Sequence, residues 1–510
     1  MKKRIFNVLY YVCIFLGLLS FFYLAHPMII FNTDDWHFAS YWRRPLPIPG
    51  GYNGIKVFPE TFMSLVSEIG LYAVYPFAKD YLMSLAFAYA VAVSLFIIAF
   101  VFLLERFLKQ ITNDDLVSKG ISFLVLIFHF LIYKNDCMQN HHLFYAQDVT
   151  CVFHYTLSAL LNICIVLFLL SEEIIVNRSL SKDILEGKYS AFKAGFLVLA
   201  IYLAIYSSMF HNIILASFSG GCLIVELILN VKRKEFKIVA FVRANWIHLM
   251  VCIMWISTLI MQLMDPRNED AKKQEMKAGF VNTIKAFMGQ VTSINKFLIL
   301  FIGIIIMAIV ARIIVNGPEG FVRRNGKAFI SVILPGFATT LYLIILASVA
   351  GKDYISREDV LIGIFDYVFI IISMLMTGLF TDTAHKNGSN DAKSNKAMII
   401  FPLMIFLLTS QTLNYCKSYA DYNIFGLSWE ETYAAGNDII EQIIEAENQG
   451  IEELDLYVTD NEGWNNIWPY TSYVGTTIAD TLYRHGIIAK PIKVNAVYDK
   501  KKNEELNIHY

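Results

Sequence analysis

Long apolar segments, separated by shorter polar ones, run through the first 414 residues of the chain. A helix needs roughly 20 apolar residues to cross a bilayer core. About eleven segments approach that length: 5–30, 81–104, 116–133, 150–170, 191–208, 212–230, 239–262, 296–316, 328–350, 359–380 and 397–414. The pattern predicts an all-α polytopic membrane domain over 1–414, with Lys119 of the third segment extending to the membrane surface. The first segment is too long for a cleaved signal peptide, so we expect it to remain as a helix.

Residues 415–510 have a different pattern. Residues 428–449 have the periodicity of an amphipathic helix, and residues 454–459 have that of a strand. Residues 475–485 predict a second helix, and residues 489–498 a second strand. This order predicts a small C-terminal α/β unit over 415–510.

Composition supports a membrane protein. Of the 510 residues, 56% are hydrophobic and 17% are charged, which is too apolar for a soluble protein of this size. The net charge is −1, so it gives no reason to expect a nucleic-acid partner. The 415–510 segment is acidic, with 16 Asp and Glu against 7 Lys and Arg, and the preceding part is therefore basic. This split indicates two different environments.

The positions of lysine and arginine predict the orientation. The chain begins with Lys2, Lys3 and Arg4, and alternate loops after it are basic, with the 265–295 loop as an exception. Cytoplasmic loops usually carry this excess of positive charge. We therefore expect a membrane protein with a cytoplasmic N-terminus. The long first outer loop, 31–80, and the C-terminal unit would then be extracytoplasmic.

The 31–80 loop opens with the motif NTDDWHF, residues 32–38. Its carboxylates, Asp34 and Asp35, follow the first apolar segment by a few residues and are predicted at the outer membrane surface. Residues 59–78 then have helical spacing of apolar positions, which predicts a helix along the membrane surface. An acidic pair in a loop is more often only solvated. The position of this pair in a structured loop favours a function.

Transfer of a sugar from a lipid-linked phosphate would use such groups. A carboxylate can accept the proton of the attacking hydroxyl, cations can stabilise the leaving phosphate, and aromatic rings can stack against sugars. Asp34 or Asp35 is the predicted base, and Asp136, Asp148 and Asp353 are the next candidates. The predicted substrate-binding residues are Trp36, His37, Arg43, Arg44, His141, His142, His211, Lys352 and Arg357. For His141 and His142, an ordinary place in a loop is the more common alternative.

The arrangement resembles the GT-C superfamily of integral membrane glycosyltransferases. These have many spans, a long first outer loop with amphipathic helices, and an acidic motif after the first span, which NTDDWHF matches here. The architectural resemblance covers most of the chain, although the motif is short. It implies transfer from a polyprenyl-phosphate-linked sugar donor to a cell-surface glycan or lipid-linked acceptor, in contact with membrane lipid. We expect no cofactor and assign no metal ligand, while a divalent metal on the acidic pair stays open.

Other classes of protein fit part of the pattern. A polysaccharide polymerase or ligase would use a similar substrate but usually has a large, Arg-rich later loop. A transporter or flippase of lipid-linked saccharides would show paired half-repeats, and the sequence has no internal repeat. A non-catalytic membrane scaffold is a further alternative.

Overall fold

The computed structural model describes residues 2–133, 142–146, 148–234, 236–266, 276–316, 325–381, 391–415, 426–461 and 474–509. Helices dominate the part that precedes residue 416. In chain order they are α1 (Lys2–Ser20), α2 (Thr33–Ser40), α3 (Val57–Ile69), α4 (Tyr75–Ala78), α5 (Tyr81–Thr112), α6 (Asp115–Leu131), α7 (Val149–Ile175), α8 (Leu180–Leu185), α9 (Ala191–Ile205), α10 (Asn212–Lys232), α11 (Ile238–Leu263), α12 (Met276–Thr292), α13 (Lys296–Asn316), α14 (Gly326–Ala350), α15 (Glu358–Thr381) and α16 (Asp391–Tyr415).

Long apolar helices identify the chain as a polytopic membrane protein. Among the described residues, seven helices are long and apolar enough to cross a membrane: Arg4–Ala25, Tyr81–Thr112, Val149–Ile175, Asn212–Lys232, Ile238–Leu263, Gly326–Ala350 and Glu358–Phe380. Shorter apolar helices lie at Ala191–Ile205, Lys296–Ala311 and Ile399–Thr412. The expected helical class is therefore confirmed, and the count of about eleven spans stays a prediction.

Helix α5 occupies the centre of the bundle. It packs against α1, α3, α6 and α7, and its side chains Leu85, Tyr89, Ile97 and Phe100 are fully buried. Such a helix is apolar on most of its circumference because neighbouring helices cover most of it.

Lys119 on α6 does not extend to the membrane surface as the sequence predicts. The side chain is buried, and Nζ lies 2.8 Å from Glu105 Oε1 and 3.1 Å from Asp115 Oδ2. Two carboxylates compensate the cost of burying the ammonium group, which removes the need to reach water.

The last part of the chain contains strands. Helix α17 (Trp429–Asn448) precedes β1 (Glu453–Thr459), and α18 (Val474–Arg484) precedes β2 (Lys493–Asp499) and α19 (Lys500–Leu506). The two strands pair in parallel, with Glu453 opposite Lys493 and Thr459 opposite Asp499. Helix α18 packs directly against α2. This contact brings the C-terminal residues to the acidic motif.

The 31–80 loop is structured, and residues 57–78 are continuously helical, which agrees with the helix predicted over 59–78. Helix α3 ends at Ile69, a π-helical turn follows at Gly70–Val74, and α4 is one turn long. Helix α3 buries Met63 and Val66 and packs against α2 and α5. Helix α3 of this loop therefore lies in contact with both α2 and α5.

Candidate functional site

Helix α2 begins with a capping box that holds the acidic motif rigidly. The side-chain oxygen of Asn32 accepts hydrogen bonds from the backbone N–H groups of Asp34 (2.9 Å) and Asp35 (3.1 Å). In return, Asp35 Oδ2 accepts from the backbone N–H of Asn32 at 3.3 Å. This reciprocal pair satisfies the free N–H groups at the start of a helix. The local sequence N-x-x-D therefore favours the start of a helix here.

Asp35 also joins α2 to the start of α7. Its Oδ1 accepts hydrogen bonds from the backbone N–H of Thr150 (2.6 Å) and from Thr150 Oγ1 (2.7 Å). Its Oδ2 accepts a further bond from the backbone N–H of Phe31 at 3.1 Å. The residue is completely buried. These contacts assign Asp35 a structural role between two elements.

Burial has a marked electrostatic effect on Asp35. Removal from water, together with the nearby charge of Asp148, raises the pKa of this carboxyl to about 7, although the hydrogen bonds from Thr150 oppose the shift. Burial destabilises the charged carboxylate more than the neutral carboxyl, so the protonated form is favoured up to a higher pH.

Asp34 has the opposite surroundings. Its side chain is exposed, and in the described part of the chain no donor hydrogen-bonds to its carboxylate. Its charge acts on Asp148, where it raises the pKa. Of the two predicted bases, Asp34 is the one that solvent can reach.

Asp148 caps the start of α7 beside this carboxylate. Its Oδ1 accepts a hydrogen bond from the backbone N–H of Cys151 at 2.6 Å, and the residue is half-buried. Burial raises the pKa of Asp148 and the charge of Arg357 lowers it, with a net upward shift. Asp34 and Arg357, which lie on two other segments of the chain, are thus both close enough to Asp148 for their charges to act on its carboxyl.

Arg357 is held in place by a carboxylate and aromatic rings. Its Nε lies 3.0 Å from Asp359 Oδ1 and its Nη2 2.6 Å from Asp359 Oδ2. The guanidinium stands 4.5 Å from the centre of the Tyr155 ring and 5.9 Å from that of Tyr354. A two-point pair with a carboxylate orients the planar group, and Arg357 retains other N–H groups that can donate.

Arg43, by contrast, is buried in the fold of its own loop. Its Nη1 forms an ion pair with Glu60 Oε2 at 2.6 Å and donates to the carbonyl of Asn53 at 3.0 Å. Its Nη2 donates to the carbonyl of Gly54 at 3.2 Å. These contacts fit a residue that stabilises the loop better than one that binds a phosphate. Arg44, its neighbour, is exposed.

The aromatic residues of the motif divide in the same way. Trp36 is buried and stacks on Tyr81 at 6.2 Å between ring centres, with an angle of 11°. His37 is exposed and stacks on Tyr41 at 4.7 Å. Trp36 therefore packs in the core, and the His37–Tyr41 pair is an exposed ring surface on the same helix as Asp34.

His142 and His211 are both buried. His142 is buried, with the rings of Phe21 and Phe130 at 5.4 Å and 5.5 Å. His211 is fully buried and its Nε2 donates to the carbonyl of Asp359 at 2.9 Å. Burial lowers the pKa of His211 to about 3, so the ring is neutral near pH 7. His141 and Asp136 lie outside the described residues.

His211 nevertheless lies in the wall of the site, because Asp359 also holds Arg357. Lys352 is exposed on the short 3-10 helix Lys352–Ser356 that precedes Arg357. Sequence reasoning missed Thr150, Cys151 and Tyr155, which lie at the start of α7 inside an apolar segment. Asp148 was only a secondary candidate, although an Asp directly before an apolar helix is a recognisable cap signal.

Among the described residues, no group of three or more His, Cys, Asp or Glu side chains is arranged to hold a metal ion. The chain matches no family model, no curated protein and no solved structure in the comparisons. The class of protein therefore rests on the fold: a helical membrane protein with an acidic and aromatic site at one end of its bundle.

Proposed function

We propose that this chain is an integral membrane glycosyltransferase that moves a sugar from a polyprenyl-phosphate donor to an extracytoplasmic glycan or lipid-linked acceptor. The observation that carries the proposal is the exposed carboxylate of Asp34 on a capped helix, whose charge acts on Asp148 together with that of Arg357. The candidate spans α5, α7 and α15 begin at this end of the bundle. This position supports the proposal, because a lipid-linked phosphate would meet the protein where membrane-spanning helices begin.

In this reaction Asp34 accepts the proton of the acceptor hydroxyl as the hydroxyl oxygen bonds to the anomeric carbon. The bond between that carbon and the phosphate oxygen breaks, and its electron pair leaves with the lipid phosphate. Arg357 stabilises the added negative charge by donating hydrogen bonds. Asp35 positions Asp34 through the capping box and does not touch the substrate.

The raised pKa of Asp148 is consistent with a supporting role. In its protonated form Asp148 can donate a hydrogen bond to a hydroxyl of the sugar or acceptor, and in its charged form it raises the proton affinity of nearby groups. The resemblance to the GT-C architecture supports the same assignment. A bacterial plasma membrane with the C-terminal α/β unit outside is part of the proposal.

The test is a comparison of the surface glycan in cells that lack the protein with that in cells that regain it. Loss of one sugar branch, restored by the wild-type chain, is the expected result. Asp34→Asn should fail to restore it at equal protein level in the membrane, because loss of a general base typically costs roughly 10²- to 10⁴-fold in rate. Asp455→Asn, which changes another exposed carboxylate on β1, is the matched control and should restore the branch.

The other outcomes separate the alternatives. Shorter glycan chains with every sugar branch intact would identify a polymerase or ligase. A glycan of unchanged structure and amount in the deletion strain would contradict the proposal. Full restoration by Asp34→Asn would show that the base lies elsewhere.

A further inference from the structure

A polar cavity lies at the opposite end of the helix bundle from Asp34. Its volume is about 320 Å³. Helix α7 begins beside Asp148 and reaches the cavity at Glu173 and Ile174. Its 27 residues span roughly 40 Å at 1.5 Å per residue, which is about the thickness of a bilayer with its headgroups. The cavity and the candidate site therefore belong to opposite membrane surfaces.

Four candidate spans have an end at this cavity. Helices α7 and α10 end there, and α11 and α14 begin there. Inside α11, Asn245 leaves the helical conformation, with φ −131° and ψ 19°, and its side chain lines the cavity. The kink separates the first turns of α11 from the rest of the helix. A cavity among the ends of spans lies at the level of the lipid headgroups.

The walls carry an excess of positive charge. Glu173 and Glu226 are the lining carboxylates, against five lining cations: Arg178, Lys182, Arg233, Lys237 and Lys327. Both carboxylates have partners: the Nε2–H of His248 donates to Glu173 Oε2 at 2.7 Å, and Lys327 lies 3.7 Å from Glu226.

The cations are only partly compensated. Arg178 is paired with Asp183 and Glu172 outside the cavity. Within the described ranges, no carboxylate pairs with Lys182, Arg233 or Lys237. The cavity thus has three cations available to an anion, and clustered cations of this kind suit a phosphate group.

The first turn of α11 also has exposed apolar side chains, on the faces of the helix that do not line the cavity. Ile238 is 69% exposed and Val239 is 67% exposed, although both belong to a candidate span. An exposed apolar surface beside a basic cavity is what a phospholipid requires, because its headgroup is anionic and its acyl chains are not. Basic cavities between spans are known to receive such headgroups.

We propose that this cavity binds the phosphate of an anionic phospholipid headgroup, with the acyl chains against the exposed face of α11. The inference does not depend on the proposed glycosyltransferase activity, because the two sites are at opposite ends of α7. Inorganic phosphate has the same charged group without the chains. Its effect therefore distinguishes a lipid from a free anion.

The test uses the full chain purified in detergent with three probes: phosphatidylglycerol, phosphatidylcholine and inorganic phosphate. Phosphatidylglycerol should raise the thermal unfolding temperature more than phosphatidylcholine does. The double variant Arg233→Gln with Lys237→Gln should bind phosphatidylglycerol roughly 10- to 30-fold more weakly, since each cation near the surface contributes about 1 kcal/mol. Its unfolding temperature in phosphatidylcholine reports whether it folds.

The control is the double variant Lys232→Gln with Lys234→Gln. These residues are exposed on the same segment, do not line the cavity, and remove the same charge. The control should keep wild-type affinity. Equal weakening in both double variants would show general surface attraction and overturn the proposal. The proposal would also be overturned if inorganic phosphate raised the unfolding temperature as much as phosphatidylglycerol does and the Arg233 and Lys237 double variant lost this effect.

Discussion

Asp34 and Asp35 have different surroundings because one step along a helix turns the side chain by about 100°. That turn directs Asp35 into the contact with α7 and leaves Asp34 in solvent. Arg43 and Arg44 differ in the same way, one in a buried ion pair and the other exposed. Two neighbouring residues of the same type can therefore differ in role, and substitution of each one separately distinguishes the roles.

Asp35→Asn should destabilise the protein, whereas Asp34→Asn should not. Both carboxyl oxygens of Asp35 accept hydrogen bonds from N–H or O–H groups. Asparagine has only one oxygen, so its NH₂ group would face donors that it cannot accept from. We expect a loss of about 2–4 kcal/mol for Asp35→Asn and less than about 0.5 kcal/mol for Asp34→Asn. Thermal unfolding of the purified variants measures both. Equal unfolding temperatures would contradict the structural role of Asp35.

The stabilising effect of Asp35 should also depend on pH. Its pKa in the folded chain is raised to about 7, so folding favours the protonated carboxyl between the unfolded value, about 4, and pH 7. Its contribution is fully present below pH 4 and falls as the pH rises through that window. The advantage of wild type over Asp35→Asn in unfolding temperature should be larger at pH 5 than at pH 8. A difference independent of pH would contradict the raised pKa.

Arg43→Ala and Arg44→Ala form a second contrasting pair. Arg43→Ala removes a buried ion pair with Glu60, and breaking such a pair typically costs about 3–5 kcal/mol. We expect a large loss of folded Arg43→Ala protein and little change for Arg44→Ala, measured as the monodisperse fraction after size-exclusion chromatography. If the Arg43→Ala protein instead had normal yield but transferred less sugar from the lipid-linked donor, a contact between Arg43 and the substrate would be favoured.

At the scale of elements, the position of α2 depends on its contact with α18. Thr481 Oγ1 donates to the carbonyl of Trp36 at 2.7 Å and lies 3.1 Å from Ser40 Oγ. His485 Nε2–H donates to the carbonyl of Ala39 at 3.2 Å, so its Nδ1 accepts from the Tyr81 hydroxyl at 2.7 Å. Both side chains are buried. The C-terminal helix thus holds the helix that carries Asp34.

Thr481→Val should weaken this contact while it preserves side-chain volume. Loss of two hydrogen bonds in a buried position should cost about 1–3 kcal/mol and, on the proposed function, reduce transfer because α2 is held less rigidly. Thr476→Val, on the exposed side of the same helix, is the control. Limited proteolysis of the 41–56 segment and unfolding temperature measure the effect. An unchanged protease pattern for Thr481→Val would show that α2 holds its place without α18.

At the scale of the whole molecule, the candidate site and the basic cavity lie at opposite ends of the long helices. One end holds Asp34, Asp148 and Arg357, and the other holds the basic cavity. Apolar helix surface separates them, so the two membrane faces can have independent chemistry.

The predicted orientation can be tested with single added cysteines. Tyr52→Cys lies at the Asp34 end, where the side chain is 69% exposed, and Lys234→Cys lies at the cavity end. A membrane-impermeant maleimide should label Tyr52→Cys in intact cells and Lys234→Cys only after permeabilisation, against the background of the wild-type chain. The reverse pattern would place Asp34 in the cytoplasm and remove the basis of the proposed function.

Local and periodic features were predictable from the sequence because they depend on residues near one another in the chain. Apolar runs determine the long helices, alternation and periodicity determine the order of α17, β1, α18 and β2, and Asn32 with Asp35 specifies the start of α2. The tertiary structure alone determined which carboxylate of the motif is exposed. It placed Asp148 and Arg357 beside Asp34, and it buried Arg43 on Glu60. No pattern along the chain encodes such distant contacts, because they depend on how helices far apart in sequence pack together.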